Sequence, residues 1–180
     1  MPHFTLTVAT SSDGFFARAH DDAPQNWASA EEQELFFRDV EAADWAIMGR
    51  HTHEAADKPF RRRIVFSTRV SGWQRPSQLW LDPATIGSVV ELPRLVRRKH
   101  PLENGLVLGG TRVHDWFLAR RAIDRVHLTI EPVAFGRGLP IFTGQVTRDP
   151  IQAIEEKGFS ILSQEELNSQ GTRYVVFERA

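Results

Sequence analysis

Leu106-Val107-Leu108-Gly109-Gly110-Thr111-Arg112-Val113-His114-Asp115-Trp116-Phe117 carries the strongest local pattern in the chain. Three apolar residues of strand character run into a Gly-Gly pair, and Val113, Trp116 and Phe117 then recur at the spacing of one helical face. A buried strand that turns tightly into a helix is a unit of an α/β sheet. The same turn carries chemistry. Glycine lets the backbone approach a ligand closely, and the first N–H groups of a helix have no partner within it, so such a turn is suited to an anion.

Outward from this stretch the pattern repeats. Trp45 to Met48 reads as a buried strand ending at Gly49, with a short helix over 50–56 behind it. Ile64-Val65-Phe66 is another buried strand, closed by Ser67-Thr68-Arg69. Phe4 to Ala9 alternates apolar residues with Thr, as a strand does, and Ser11-Ser12-Asp13-Gly14 stops it. Residues 15–28 read as a long loop, of the kind that serves as a lid or binding loop. Ser29-Ala30-Glu31-Glu32 is a capping box, in which Ser29 bonds the backbone at Glu32 and Glu32 reaches back. Leu35, Phe36, Val40 and Ala43 then predict a helix over 30–43.

Leu79 to Leu81 suggests a further short strand, and Glu91 to Arg98 a helix with Pro93 in its first turn. Arg125 to Phe135 predicts one long alternating strand, broken by Gly136-Arg137-Gly138-Leu139-Pro140. Phe159–Leu162 and Tyr174–Phe177 flank a turn at Asn168-Ser169-Gln170-Gly171, as in an antiparallel hairpin. The expected architecture is one α/β domain over residues 1–180, with a mostly parallel sheet and an antiparallel C-terminal hairpin.

Composition narrows the function. Of 180 residues, 41% are hydrophobic and 25% charged, the balance of a globular chain with a sizeable core. A net charge of -1 gives no basic field for nucleic acid or an anionic membrane. Arg61-Arg62-Arg63 and Arg97-Arg98-Lys99 read as solvated surface. The chain has no cysteine, which removes disulfides, thiolate nucleophiles and cysteine-based metal sites. Its first residues do not form a signal peptide, and no stretch approaches the roughly 18 apolar residues of a membrane helix. The expected location is the cytoplasm.

Three predicted strand ends suit a phosphate-rich cofactor: Met48-Gly49-Arg50-His51-Thr52, Ser67-Thr68-Arg69 and Leu108-Gly109-Gly110-Thr111. Each alone is an ordinary turn; the three together point to binding at the carboxyl edge of a sheet. Neither the Gly-x-Gly-x-x-Gly fingerprint nor a phosphate-binding loop occurs, and no Gly-x-Ser-x-Gly elbow supports a serine hydrolase. His51-x-His53 lacks a third ligand, so no metal is expected. His114 and His127 read as surface or half-buried residues. Asp13, at the mouth of the long loop, is either a carboxylate facing substrate or a simple Asp-Gly turn.

These residues resemble the dihydrofolate-reductase-like superfamily, and more closely the reductase domain of the bacterial riboflavin-biosynthesis deaminase-reductase and its stand-alone relatives. The matching stretches are Phe4–Ala9 with Ser12-Asp13-Gly14, Gly49–Thr52, Arg63–Ser67, Leu108–Thr111, Ile123–Val133 and Gly136–Phe142, in order along nearly the whole chain. The resemblance implies a three-layer α/β/α fold around an eight- or nine-stranded sheet, with NADPH along the strand ends. Carried over by position, Ala9 meets the nicotinamide. Gly49, Arg50, His51 and Thr52 hold phosphates, Ser67, Thr68 and Arg69 surround the 2′-phosphate, and Gly109, Gly110 and Thr111 bind the pyrophosphate. Asp13 and Gly14 border the substrate, Asp13 as the candidate catalytic residue, with Trp27 and Phe36 as apolar walls.

Leu108 stands where the riboflavin enzymes often carry Glu, and Phe15 or Phe16 where they carry Lys. The zinc motif of the deaminase half cannot form without cysteine. The implied activity is NADPH-dependent hydride transfer to a small heterocyclic or sugar-phosphate substrate, best matched by 5-amino-6-(5-phosphoribosylamino)uracil. A dihydropterin reductase is the alternative. Glu31, Glu32 and Glu34 are available to it in the first helix, but the sequence places none of them at a substrate. A non-catalytic nucleotide-binding module is a third reading. A homodimer is expected, as relatives often form.

Overall fold

The structure is a computed structural model that describes residues 1–180. Strand β1 (His3–Thr10) buries Phe4, Leu6 and Val8 on one side, while Thr5, Thr7 and Ala9 point to the other. After it come β2 (Phe15–Ala17), α1 (Ala30–Ala42), β3 (Trp45–Gly49), α2 (Arg50–Ala55), β4 (Arg63–Phe66), β5 (Gly72–Arg75) and β6 (Gln78–Leu81). The chain continues through α3 (Glu91–Val96), β7 (Asn104–Gly109), α4 (Thr111–Ala119), β8 (Arg125–Ile130) and β9 (Leu139–Pro140). It ends with α5 (Pro150–Glu155), β10 (Phe159–Glu166) and β11 (Arg173–Arg179).

Nine strands form one sheet in the order β10-β11-β8-β1-β7-β3-β4-β6-β5. From β8 to β6 all neighbours are parallel; β10, β11 and β5 run antiparallel to theirs. Strands β2 and β9 pair in a separate ribbon. One face of the sheet carries the main core, in which Phe4, Leu6, Ile47, Ile64, Val126 and Phe177 pack with Val96 of α3, Phe117 of α4 and Ile154 of α5. On the other face α1 meets a small apolar cluster of Ala46, Met48 and Leu106. The result is the expected mostly parallel, three-layer arrangement with an antiparallel C-terminal hairpin. No helix is long and apolar enough to cross a membrane.

The departures have local causes. The 125–135 strand stops at Ile130, because Glu131 bonds sideways to Ser29 and Thr172 and Pro132 has no N–H for a ladder. The 15–28 loop contains β2 and a single 3-10 turn over Pro24–Asn26. Strand β5 is an exposed edge with no burial pattern to reveal it. Helix α5 starts at Asp149-Pro150, where the Asp149 carboxylate accepts from the Ile151 N–H at 2.9 Å. Only half of the capping box forms: the Glu32 N–H donates to Ser29 Oγ, while the Ser29 N–H donates to Glu131 instead of Glu32. Arg63 is buried rather than solvated, with Nη1 3.1 Å from His53 Nδ1.

Candidate active site

The carboxyl ends of β8, β1, β7, β3 and β4 lie side by side along one edge of the sheet. Register fixes this: Thr10 pairs with Ile130, Met48 with Gly109 and Gly49 with Phe66. All three glycine or hydroxyl turns singled out in the sequence therefore converge on one edge, as open α/β sheets require of a ligand site. The turns of β3 and β7 abut. A Cβ built on Gly49 would stand 3.9 Å from both the Gly109 carbonyl oxygen and the Gly110 nitrogen.

Gly109 is demanded by its surroundings. Its φ is +103°, and a Cβ there would come within 2.9 Å of His114 Nε2. A Cβ on Gly110 would meet the Phe16 ring at 3.4 Å, so β2 closes over the turn. The turn itself contributes only backbone, and the Thr111 and Arg112 N–H groups that open α4 have no partner within the helix. His114 is not a surface residue. It is buried beneath the turn, donating from Nδ1 to the Ile141 carbonyl at 2.8 Å, and burial pushes its pKa down to about 4.

The segment after β1 is held by the segment after β8. Asp13 Oδ1 accepts from Ser11 Oγ at 2.6 Å and from the Phe135 N–H at 3.0 Å, and Oδ2 accepts from the Gly136 N–H at 2.7 Å. Partial burial works against its charge, but these donors prevail and hold the carboxyl below the usual carboxylate range. Trp27 meets Phe135 edge to face at 5.1 Å. Thr111 Oγ1 donates to the Pro140 carbonyl at 2.6 Å, which ties the first turn of α4 to the same segment.

Glu32 is the group that sequence reasoning could name but not place. It lies in the first turn of α1, only 4% exposed, with Oε2 lacking any partner. Burial, then the charges of Glu131 and Asp39, push its pKa up to about 7. Glu131 is itself buried and fixed, accepting from the Ser29 N–H and Oγ and from Thr172 Oγ1 at 2.6–2.8 Å. Thr10 Oγ1 and Trp27 Nε1 are likewise buried without partners. Three orphaned polar atoms around one strand end are unusual, because buried polar groups are nearly always hydrogen-bonded. The signal for Glu32 was present: the stripe Phe36–Val40 extended back by one turn reaches it.

Residues 2–165 match the model of the family described as the RibD C-terminal domain. The chain belongs to that family. Solved structures agree on the fold. A putative riboflavin biosynthesis protein from Shewanella sp. PV-4 is similar with a TM-score of 0.68 at 19% identity, over 99% of both chains. RibD from Acinetobacter baumannii, form 1, gives 0.74 at 17% identity, over 100% of this chain and 58% of that one. Dihydrofolate reductase from Enterococcus faecalis, complexed with NADP(H) and RAB-propyl, gives 0.65 at 19% identity, over 98% of this chain and 96% of that one. Among curated proteins, none matches the chain. The sheet is thus dihydrofolate-reductase-like, and membership of the RibD C-terminal domain family supports a reductase of the riboflavin-biosynthesis type.

Within this RibD-type fold, Ala9 is buried at the end of β1, beside Thr129 of β8 in register. Ser67 is buried, its Oγ accepting from the Arg69 N–H at 3.1 Å, while Thr68 and Arg69 are exposed. Arg50 is bonded to Glu54 at 3.1 Å and His51 stacks on His20 of the lid segment at 5.0 Å. Thr52 is half-buried beside them. Gly14 is buried with φ +88° in the turn that Asp13 secures. Phe36 is half-buried one helical turn beyond Glu32 and lies on the same side of α1.

Proposed function

We propose that this RibD-type chain is an NADPH-dependent reductase that transfers hydride to a polarised C=O or C=N carbon of a small heterocyclic substrate. A compound of the 5-amino-6-(5-phosphoribosylamino)uracil type is the best candidate. The observation that carries the reading is a cradle of glycine turns on adjacent strand ends, in a fold that also buries a carboxyl, Glu32, whose pKa is pushed up to about 7. NADPH, when bound, supplies the hydride.

The chain supplies the rest. Gly109, Gly110 and Thr111, with Gly49, Arg50, His51 and Thr52, would hold the phosphates, and Ser67, Thr68 and Arg69 the 2′-phosphate. Ala9 would border the nicotinamide. Glu32 holds a proton at its carboxyl and can donate it, or hydrogen-bond a ring lactam as both donor and acceptor. Asp13 and Gly14 shape the mouth. Because the Asp13 carboxylate is occupied by three donors and held ionised, it orients the loop rather than releasing a proton. Phe16, Trp27 and Phe36 exclude water.

Two experiments test this. NADPH oxidation should be seen with the pyrimidine phosphate and not with dihydrofolate. The reverse result selects a dihydropterin reductase, which the position of Glu32 favours as the second reading, and turnover with neither removes the enzymatic proposal. In Arg69→Ala, preference for NADPH over NADH should fall by about 1.5–3 kcal/mol, the worth of a charge-assisted hydrogen bond. Unchanged preference would take Arg69 out of the site.

A further inference from the structure

The interface between α1 and the sheet is polar where most helix–sheet interfaces are apolar. Glu32 and Asp39 lie seven residues apart on α1, two turns along the same side, a rise of about 10 Å. Both are buried, at 4% and 8% exposure. The Asp39 carboxylate is pinned to the sheet: Oδ2 accepts from Thr7 Oγ1 and from His127 Nδ1, each at 2.8 Å. Thr7 of β1 and His127 of β8 are direct partners in register, so neighbouring strands present both donors at one height.

We propose that Asp39, anchored by Thr7 and His127, is a positioning residue whose fixed negative charge, added to the burial of Glu32, favours the protonated form of its carboxyl. The proposal deepens the reductase reading, which gives Glu32 the acid role. The charged and titratable groups around this line are few. From the carboxyl end of β8 comes Glu131, whose oxygens are taken up by Ser29 and Thr172. From β8 come His127 and Arg125, from β1 His3, and from β11 Tyr174. From α1 itself come Glu31, turned to Asn168 at 3.3 Å, and Arg38.

Two arginines are among them, the exposed Arg125, which shares a cavity with Asp39 and His127, and Arg38. Arg38 reaches Asp39 Oδ1 at 3.7 Å from a side chain 57% exposed, and its hydrogen bond goes to the Tyr174 hydroxyl at 3.0 Å. Water therefore screens its compensation of Asp39, as it does that of the exposed Arg125, while the two acids themselves are nearly buried. Glu32 thus sits between two carboxylates, each fixed by its own hydrogen bonds. Ionising it would place a third like charge between helix and sheet, and retaining the proton avoids this.

The test is the titration of Glu32, followed by carbon NMR in protein labelled at glutamate and free of cofactor. Asp39→Asn preserves shape and hydrogen bonding and removes the charge. At about 10 Å and an effective dielectric constant near 20, the Glu32 midpoint should fall by about one pH unit. His127→Arg is the second variant, since His127 borders an open cavity that also touches Thr5, Asn104 and Arg125. A permanent cation there should lower the midpoint similarly, whereas His127→Gln, which keeps an N–H donor, should leave it higher than either charge variant does. An unchanged midpoint in folded Asp39→Asn, or in folded His127→Arg should Asp39→Asn fail to fold, overturns the proposal. The pH profile of NADPH oxidation separates the two claims. If it follows the Glu32 midpoint, both stand; if the midpoint moves and the profile does not, Asp39 still sets the protonation of Glu32 and the acid role of Glu32 fails.

Discussion

The two faces of the central sheet are built on opposite principles. Against α3, α4 and α5 the strands present Phe4, Leu6, Ile47, Ile64 and Val126, all at most 1% exposed, in a cluster of 29 buried residues. Against α1 the apolar cluster has three, and Thr7, Glu32, Asp39, His127 and Thr129 fill the remaining layer. The same strands serve both faces, because alternate residues point to opposite sides. Stability is concentrated on the first face. That leaves the second free to bury carboxyl groups, which cost stability.

The largest test of this contrast is truncation on the apolar face. Phe117→Ala, at a position with no exposure, should cost about 3–5 kcal/mol in urea unfolding. A cost under 1 kcal/mol would mean that face does not carry the fold.

The next effect has the opposite sign and lies on the polar face. Glu32 binds its proton more tightly in the folded chain, with a pKa of about 7, than in the unfolded chain, where the ordinary value is 4.5. Its contribution is therefore fully present below pH 4.5 and is lost as pH rises through about 7, a difference of about 3 kcal/mol. Glu32→Gln should remove that slope, so that unfolding curves of variant and parent diverge in favour of the variant between pH 5 and pH 8. Parallel curves would show that Glu32 is ionised in the folded chain. The smallest effect is Thr7→Val, which takes one hydrogen bond from Asp39 and should cost about 1 kcal/mol at neutral pH. A cost several times larger would mean that the Asp39 anchor also supports the apolar face.

The legible parts of the fold were those written in apolar periodicity or in glycine. Trp45–Gly49, Arg63–Phe66, Asn104–Gly109 and α4 announce themselves, since a parallel strand buried on both faces is a continuous apolar run. Strand β5 and most of β10 were not legible at full length, because their residues are exposed at an edge of the sheet and bear no pattern. The strand ending at Ile130 looked longer because Pro132-Val133-Ala134-Phe135 continues its apolar character. Its true end is decided by a side chain, Glu131, whose partners are far away in sequence.

The candidate site divides in the same way. The glycine and hydroxyl turns at Gly49, Ser67 and Gly109-Gly110 could be found one at a time, since each is a local strand-to-helix or strand-to-loop junction. Their placement on one edge needed only the parallel order that the β-α alternation implies. Glu32, His114 and the Asp39–Thr7–His127 anchor could not be assigned, because burial and proton affinity are properties of what packs around a group. The stripe of Phe36 and Val40 reaches back to Glu32 in the sequence, but only burial and the nearby charges of Glu131 and Asp39 set its proton affinity apart from that of Glu31 and Glu34. Local pattern thus determined the α/β class and the cofactor-like edge, through short-range periodicity and turn chemistry. The tertiary structure alone decided which acid keeps its proton, because charge interactions depend on distance and solvent exclusion rather than on position along the chain.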